Sequence, residues 1–216
     1  MPTFWLHYVG TRLYRRSNLY RIEFRRHGVQ RAVPFNLLGS MEFGTPVLLA
    51  FHNRQSKTAT VIGYFRVEAV VNNLPAEVKD DLHRHLNILD LDLSVRTVER
   101  ACGTYTIGAV VTVDETLQSI LQKVRQVCQQ HNIVPTRYKW FIHGRYHPLH
   151  PPIHLKPVNF TRGYMKVEIK DFSLAPSTTP HYIYWIFDYR QRAYLPRKEL
   201  AKLSSRRLSE YLEGEE

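Results

Sequence analysis

Residues 44–71 read GTPVLLAFHNRQSKTATVIGYFRVEAVV and contain two apolar, β-branched runs separated by a polar link. The first run covers residues 46–51 and the second covers residues 58–71. Valine, isoleucine, threonine and aromatic residues dominate both runs, which is typical of β-strands. The polar link, residues 52–57, is short. The pattern therefore predicts two strands of a mostly antiparallel sheet.

The chain before this stretch predicts further strands of the same unit. Residues 3–9 are aromatic and β-branched. Residues 19–26 alternate between apolar and mostly basic side chains, and this period of two predicts a strand with one buried face and one basic face. His27 and Gly28 then predict a turn. Residues 1–73 are accordingly predicted to form a β-rich, antiparallel, barrel-like basic unit.

Two helices are predicted in the middle of the chain. Pro75 is well placed to open a helix over residues 75–90, which would form a connector within residues 74–103. A second helix is indicated by one apolar stripe at helical spacing. That stripe consists of Leu117, Ile120, Leu121, Val124, Val127 and Cys128. Thr112 and Glu115 match a capping box, and Pro135 lies beyond the end of the helix.

The remaining elements complete an α+β prediction. Strands are expected at residues 104–113, 138–146, 163–174 and 181–189, and a final helix is expected to begin at Pro196. The order β–α–β–β–β–α predicts an α/β unit over residues 104–212 that resembles the ferredoxin-like fold in topology, followed by an acidic tail at residues 213–216. The fold class is therefore α+β, with a β-rich N-terminal unit and a ferredoxin-like C-terminal unit.

Positive charge is concentrated at the two ends of the chain. The formal net charge is +11, with +8 over residues 1–66, −3 over residues 67–130 and +6 over residues 131–216. Guanidinium groups pair with phosphate oxygens, and aromatic faces stack on bases. The predicted nucleic-acid contacts fall in three patches. They are Arg12, Tyr14, Arg15, Arg16, Arg21, Arg25 and Arg26; Arg162, Tyr164 and Lys166; and Arg206 and Arg207.

Several classes of protein are disfavoured by what the sequence lacks. Its two cysteines, Cys102 and Cys128, form no CxxC pattern, so neither a disulfide framework nor a thiolate zinc site is expected. No apolar stretch has the length of a membrane span, and no apolar signal core begins the chain. Phosphate-loop, GxGxxG and GxSxG motifs are absent. A cytoplasmic protein without cofactor, metal or membrane partner is predicted.

Histidine is dense in one segment, IHGRYHPLHPPIH at residues 142–154. Four imidazoles could meet around a metal ion, but three prolines favour an extended backbone that would splay them apart. A rigid loop with incidental histidines is therefore favoured, ahead of a loop that contacts nucleic acid and of a metal site. A metal-independent ribonuclease would need a general base, an acid and a cation. Several histidines could serve, and their spacing selects none. They are His7, His27, His143, His147 and His181.

Two parts of the chain resemble known families. Residues 44–71, with Gly-Thr-Pro-Val-Leu-Leu-Ala-Phe and Val-Ile-Gly-Tyr-Phe-Arg-Val, resemble a stretch of the PUA-like β-barrels, including the ASCH group. That resemblance implies a compact barrel that binds RNA or modified bases. The second half resembles, in topology, the ferredoxin-like RAMP proteins of CRISPR systems, some of which hold or cleave guide RNA. Their glycine-rich loop is not matched, since Gly163 stands alone.

The favoured interpretation is a nucleic-acid-binding protein, with RNA preferred to DNA because aromatic and arginine side chains suit unstacked bases. It would act without catalysis, as a binding module or as one subunit of a ribonucleoprotein beside protein partners. Two alternatives stay open. One is a metal-independent endoribonuclease of RAMP type, and the other is a basic subunit that binds acidic protein surfaces without affinity for nucleic acid.

Overall fold

The computed structural model describes most of the chain from Pro2 to Phe187. The described residues are 2–9, 29–53, 55–72, 74–92, 96–100, 103–156, 159, 163–175 and 182–187. The predicted strand at 19–26, the final helix from Pro196 and the acidic tail lie outside these ranges. Over the described residues the fold is mixed α+β and rich in open sheets, which confirms the predicted class.

Twelve strands, three α-helices and one 3₁₀-helix occur in the described ranges. The strands are β1 (Thr3–Tyr8), β2 (Val29–Val33), β3 (Pro46–Asn53), β4 (Thr58–Arg66), β5 (Ala69–Asn72), β6 (Ile88–Asp92), β7 (Arg96–Arg100), β8 (Gly103–Val113), β9 (Trp140–Gly144), β10 (Tyr146–Leu155), β11 (Tyr164–Glu168) and β12 (Tyr182–Phe187). The helices are α1 (Phe35–Leu38), α2 (Ala76–His85), α3 (Leu117–Gln130) and the 3₁₀-helix Pro135–Arg137.

One compact unit contains a five-stranded sheet with strand order β10-β4-β3-β1-β11. Strands β1 and β3 are parallel, and every other neighbouring pair is antiparallel. One face of this sheet carries a cluster of buried apolar side chains. The cluster consists of Phe4, Leu6, Leu48, Ala50, Ala59, Val61 and Ile169.

The other compact unit contains the second sheet and the helices. Its strand order is β2-β9-β5-β12-β8-β6, and β7 also pairs with β8. The predicted stripe of α3 is confirmed, because each of its six apolar side chains is buried. Each unit is assembled from separated segments of the chain. The predicted division after residues 73 and 103 stays a prediction.

The predicted strand at 58–71 is in fact two strands in two different sheets. Strand β4 ends at Arg66, and β5 begins at Ala69 in the second sheet. Between them, Val67 leaves the ladder: its N–H donates to the Thr45 carbonyl oxygen, and its own carbonyl accepts from Gly44 N. The composition of the run is uniform, so sequence pattern did not reveal this break.

The predicted helix at 75–90 is too long. Helix α2 ends at His85, because Leu86 adopts an extended backbone with φ −85° and ψ 143°. Residues from Ile88 then pair with β8, where Ile88 lies opposite Val113. Leu89, which lies inside the predicted helix, is in strand β6 and is 62% exposed. Strand pairing with a distant segment thus overrides the helical spacing.

Two other local predictions are corrected. The N-cap of α3 is Thr116, whose side chain accepts a hydrogen bond from Ser119 N at 3.2 Å, whereas Thr112 lies in β8. The histidine-rich segment was expected to be a loop, but most of it forms strand β10. The prolines do keep it extended, and an edge strand tolerates prolines because only one of its sides is paired.

Candidate nucleic-acid interface

Strand β11 carries the two predicted contact residues that the structure describes, Tyr164 and Lys166. The other predicted contacts lie outside the described ranges. They are Arg12, Tyr14, Arg15, Arg16, Arg21, Arg25, Arg26, Arg162, Arg206 and Arg207. The structure therefore describes two of the three residues of the second predicted patch.

Side-chain alternation along β11 places Tyr164 and Lys166 on one face of the five-stranded sheet. Met165 and Val167 point to the opposite face, where they pack on the apolar cluster. The strand begins after Gly163, whose φ of +115° lies in a region that side chains rarely adopt. The glycine turn and the period of two together fix which face presents the tyrosine and the lysine.

Strand β1 contributes two more side chains to this face. In the antiparallel register, Trp5 lies opposite Lys166 and His7 lies opposite Tyr164. The Lys166 ammonium is 5.1 Å from the centroid of the Trp5 ring, which is a cation–π contact. The rings of His7 and Tyr164 have centroids 4.4 Å apart and planes inclined by 31°. We call these four residues the β1–β11 strip.

The β1–β11 strip lies at the open margin of its sheet face. Lys166 is exposed, and the three rings are half-buried. On the next strand, Val47 and Leu49 are the partners of Trp5 and His7, and both are fully buried. The face is therefore covered over β3 and accessible along β1 and β11.

Charge on this margin is mixed. Glu168, opposite Thr3, is exposed and shares the face with Lys166. Its carboxylate would repel a phosphate group near that end of β11. An anionic ligand is therefore favoured at the Lys166–Tyr164 end of the strip, and polar or aromatic contacts must supply part of the affinity.

Trp5 and His7 were not among the predicted contacts, although a signal for them exists in the sequence. Residues 3–8 alternate so that Phe4 and Leu6 are buried while Trp5 and His7 share the other face. The alternation is visible before folding, but the pairing with β11 joins residues about 160 positions apart. No local pattern reports such a contact.

A second basic and aromatic group in the same unit is structural. The Arg66 guanidinium lies 5.9 Å from the Tyr64 ring centroid, and Tyr64 stacks on His147 at 5.0 Å. The Arg66 donors, however, are directed at main-chain carbonyls, Gly44 O at 3.0 Å and also Ala175 O. This arginine closes loops of the protein, so it is a poor candidate for phosphate contact.

The histidines of β10 do not converge. His154 Nδ1 lies 3.2 Å from Thr60 Oγ1, whereas His147 stacks on Tyr64 and His150 is exposed. Within the described ranges, no group of three or more His, Cys, Asp or Glu side chains is arranged to hold a metal ion.

The other unit holds buried titratable groups on α2. Burial lowers the pKa of Lys79 to about 7, partly offset by the Asp80 carboxylate, and burial lowers the pKa of His83 to about 4. The Asp81 pKa is also lowered, chiefly by its hydrogen bond with His131, which ties α2 to the end of α3. Burial therefore disfavours the charged form of both bases on the buried side of α2.

An ion pair fastens the start of α3 to the segment after α2. Lys123 Nζ donates to Glu115 Oε1 at 2.7 Å and to the His85 carbonyl oxygen at 2.6 Å. Burial acts to raise the Glu115 pKa, but hydrogen bonds from Lys123, Asn87 N and Ser119 outweigh it, so the pKa is lowered. These groups satisfy one another and serve the fold.

No family model, no curated protein and no solved structure matches this chain. Over the described residues, no helix has the length and apolar character needed to cross a membrane.

Proposed function

We propose that the protein binds single-stranded nucleic acid, RNA in preference to DNA, and that the β1–β11 strip is one of its contact surfaces. The observation that carries this proposal is the group of three half-buried rings and one exposed ammonium on the open margin of a sheet. The net charge of +11 adds long-range attraction for a polyanion.

Single strands suit this surface better than duplexes. Aromatic side chains on a sheet stack on bases that are free of their own stack, and such contacts are worth about 1–3 kcal/mol per base. Duplex bases are already stacked and present only their edges. RNA is preferred because its recognition is concentrated on unpaired loops and ends, and because the 2′-hydroxyl offers another hydrogen-bonding group.

The test is fluorescence anisotropy with labelled single-stranded RNA, single-stranded DNA and duplex DNA over a salt series. Tyr164→Leu should weaken RNA binding about fivefold or more, since it removes a stacking face. Lys166→Ala should weaken binding and reduce the salt slope by about 0.7, the value for one phosphate contact on a single strand. Tyr138→Leu and Lys156→Ala are the matched controls. They remove a half-exposed tyrosine that belongs to the other compact unit and an exposed lysine that follows β10, the strand at the opposite edge of the sheet.

Equal effects of the strip variants and their controls would contradict the assignment of this surface. Equal affinity for single-stranded and duplex probes would contradict the proposed substrate class. Absence of binding at physiological salt would favour the alternative of a basic subunit that binds acidic protein surfaces.

A second candidate, metal-independent RNA cleavage, is favoured by the contact between His7 and Tyr164. An imidazole can take the proton of a 2′-hydroxyl, whose oxygen then attacks the adjacent phosphorus and expels the 5′-oxygen. A phenol could protonate that leaving oxygen, and Lys166 could stabilise the charged phosphorane. Cleavage in chelator that is lost in His7→Ala and retained in His85→Ala would establish this activity; intact RNA on a denaturing gel would exclude it.

The proposal has three finer features. They are a role as a ribonucleoprotein subunit, a cytoplasmic location, and a division into a PUA-like barrel and a RAMP-like ferredoxin unit. The basic ends of the chain support the first. The open five-stranded sheet, which joins strands from both halves of the sequence, offers no specific support for the last.

A further inference from the structure

We propose that β11 pairs with β11 of a second copy of this chain, in an antiparallel register centred on Val167. The proposal concerns an edge of the sheet and does not depend on nucleic-acid binding. Strand β11 is the terminal strand in the order β10-β4-β3-β1-β11, and among the residues that the structure describes no strand pairs with its outer side.

The main chain fixes which residues of β11 offer hydrogen bonds outward. Ile169 N donates to Pro2 O on the β1 side. The direction of main-chain hydrogen bonds alternates along a strand. The N–H and C=O groups of Met165 and Val167 therefore also point to β1, and those of Lys166 point away from it. The main-chain hydrogen bonds of strand β1 agree with this alternation. Val9 N donates to Ala50 O on β3, so the odd residues of β1 face β3 and its even residues face β11.

The outward residues Tyr164, Lys166 and Glu168 can pair with a second copy in five symmetric registers, centred on residues 164 to 168. The registers centred on Tyr164 and Met165 place neither Lys166 nor Glu168 opposite a charged residue of β11. A register centred on Lys166 puts two ammonium groups opposite each other, and one centred on Glu168 opposes two carboxylates. The register centred on Val167 instead places each Lys166 opposite the partner's Glu168, twice by symmetry. Opposite charges directly across a ladder stabilise it and like charges destabilise it, so charge selects this register.

The apolar side of the same edge favours this partner too. Met165 and Val167 lie on the face of the core cluster and are only partly buried. In the proposed register, Val167 lies opposite the partner's Val167, so the two apolar clusters would continue across the symmetry axis. Both faces of β11 are therefore self-complementary, one through charge and one through apolar contact.

A charge-swap experiment tests the proposal, with sedimentation velocity over a concentration series and no nucleic acid present. The wild-type chain should reach twice the monomer mass. Lys166→Glu and Glu168→Lys should each weaken self-association about tenfold or more, because each places like charges opposite each other twice. An equimolar mixture of the two variants should restore it, since every Glu then faces a Lys. The double swap in one chain should also restore it.

Register is tested by Val167→Cys. The proposed register makes the two Val167 residues a pair without ladder hydrogen bonds, with Cα atoms about 4.5 Å apart, which a disulfide can span. Mild oxidation should give a covalent dimer of Val167→Cys and not of Val167→Ala. A monomeric wild type, single swaps that dimerise normally, or a mixture that stays monomeric would each overturn the proposal. Circular dichroism confirms that every variant is folded.

Discussion

Replacing His83 should remove a large part of the acid sensitivity of the fold. His83 is 6% exposed, and burial lowers its pKa from 6.5 to about 4. The unfolded chain therefore binds a proton between these two values while the folded chain does not. Stability from this group is fully present above about pH 6.5 and falls as the pH drops toward 4. The full shift corresponds to about 3 kcal/mol, and about 2 kcal/mol of it is lost by pH 5.

The measurement is urea unfolding of the wild type and His83→Gln, followed by circular dichroism, at several pH values between about 7.5 and 4.5. Glutamine keeps a similar size and polarity but does not titrate. The gap in unfolding free energy between the two proteins should change by about 2 kcal/mol between pH 7.5 and 5, in favour of the variant at low pH.

The control is His85→Gln, which changes an exposed histidine two positions further along the same helix. If this control changed the pH dependence as much as His83→Gln does, the effect would not be specific to the buried position. Curves for wild type and His83→Gln that run parallel over this pH range would refute the assignment. So would an NMR titration showing that the His83 ring in the folded protein protonates near 6.5.

Three further predictions concern packing and capping. Gly144→Ala should cost more than about 4 kcal/mol or prevent folding, because an added Cβ would lie 1.8 Å from the Arg66 carbonyl oxygen. Gly39→Ala, with φ −63° and no neighbour closer than 3.6 Å, should instead be stabilising by about 0.5 kcal/mol; equal thermal stability of the two would contradict this. Thr116→Ala should cost about 1 kcal/mol by urea unfolding, and Thr116→Ser should retain most of that stability. Leu121→Ala in the fully buried stripe should cost about 2–5 kcal/mol, and a loss below 1 kcal/mol would argue against that burial.

Local patterns predicted those elements whose stability is local. The apolar spacing of α3 and the aromatic, β-branched composition of β1 required only neighbouring residues, and both elements are confirmed. The cap of α3 was placed four residues too early, because threonine occurs at both Thr112 and Thr116 and only Thr112 has the capping-box spacing to Glu115, although the strand predicted at residues 104–113 already included Thr112.

Features that depend on contacts between distant residues could not be predicted from local sequence patterns. The break between β4 and β5 depends on two hydrogen bonds, one from Val67 N to Thr45 O and one from Gly44 N to Val67 O, and the end of α2 depends on pairing with β8. The candidate site shows the same limit. Tyr164 and Lys166 were predicted from their chemistry, whereas their ring partners on β1 follow only from the register of the sheet.

The prolines of β10 bear on how far any association through this sheet could extend. Strand β10 forms the opposite edge from β11, and its ten residues include Pro148, Pro151 and Pro152, none of which has a main-chain N–H. Its register against β4 also shifts between Pro148 and Ile153. Such an edge is a poor template for another strand. With one edge blocked and the other self-complementary, pairing is isologous and closes at two copies, so the sheet is protected against growth into filaments.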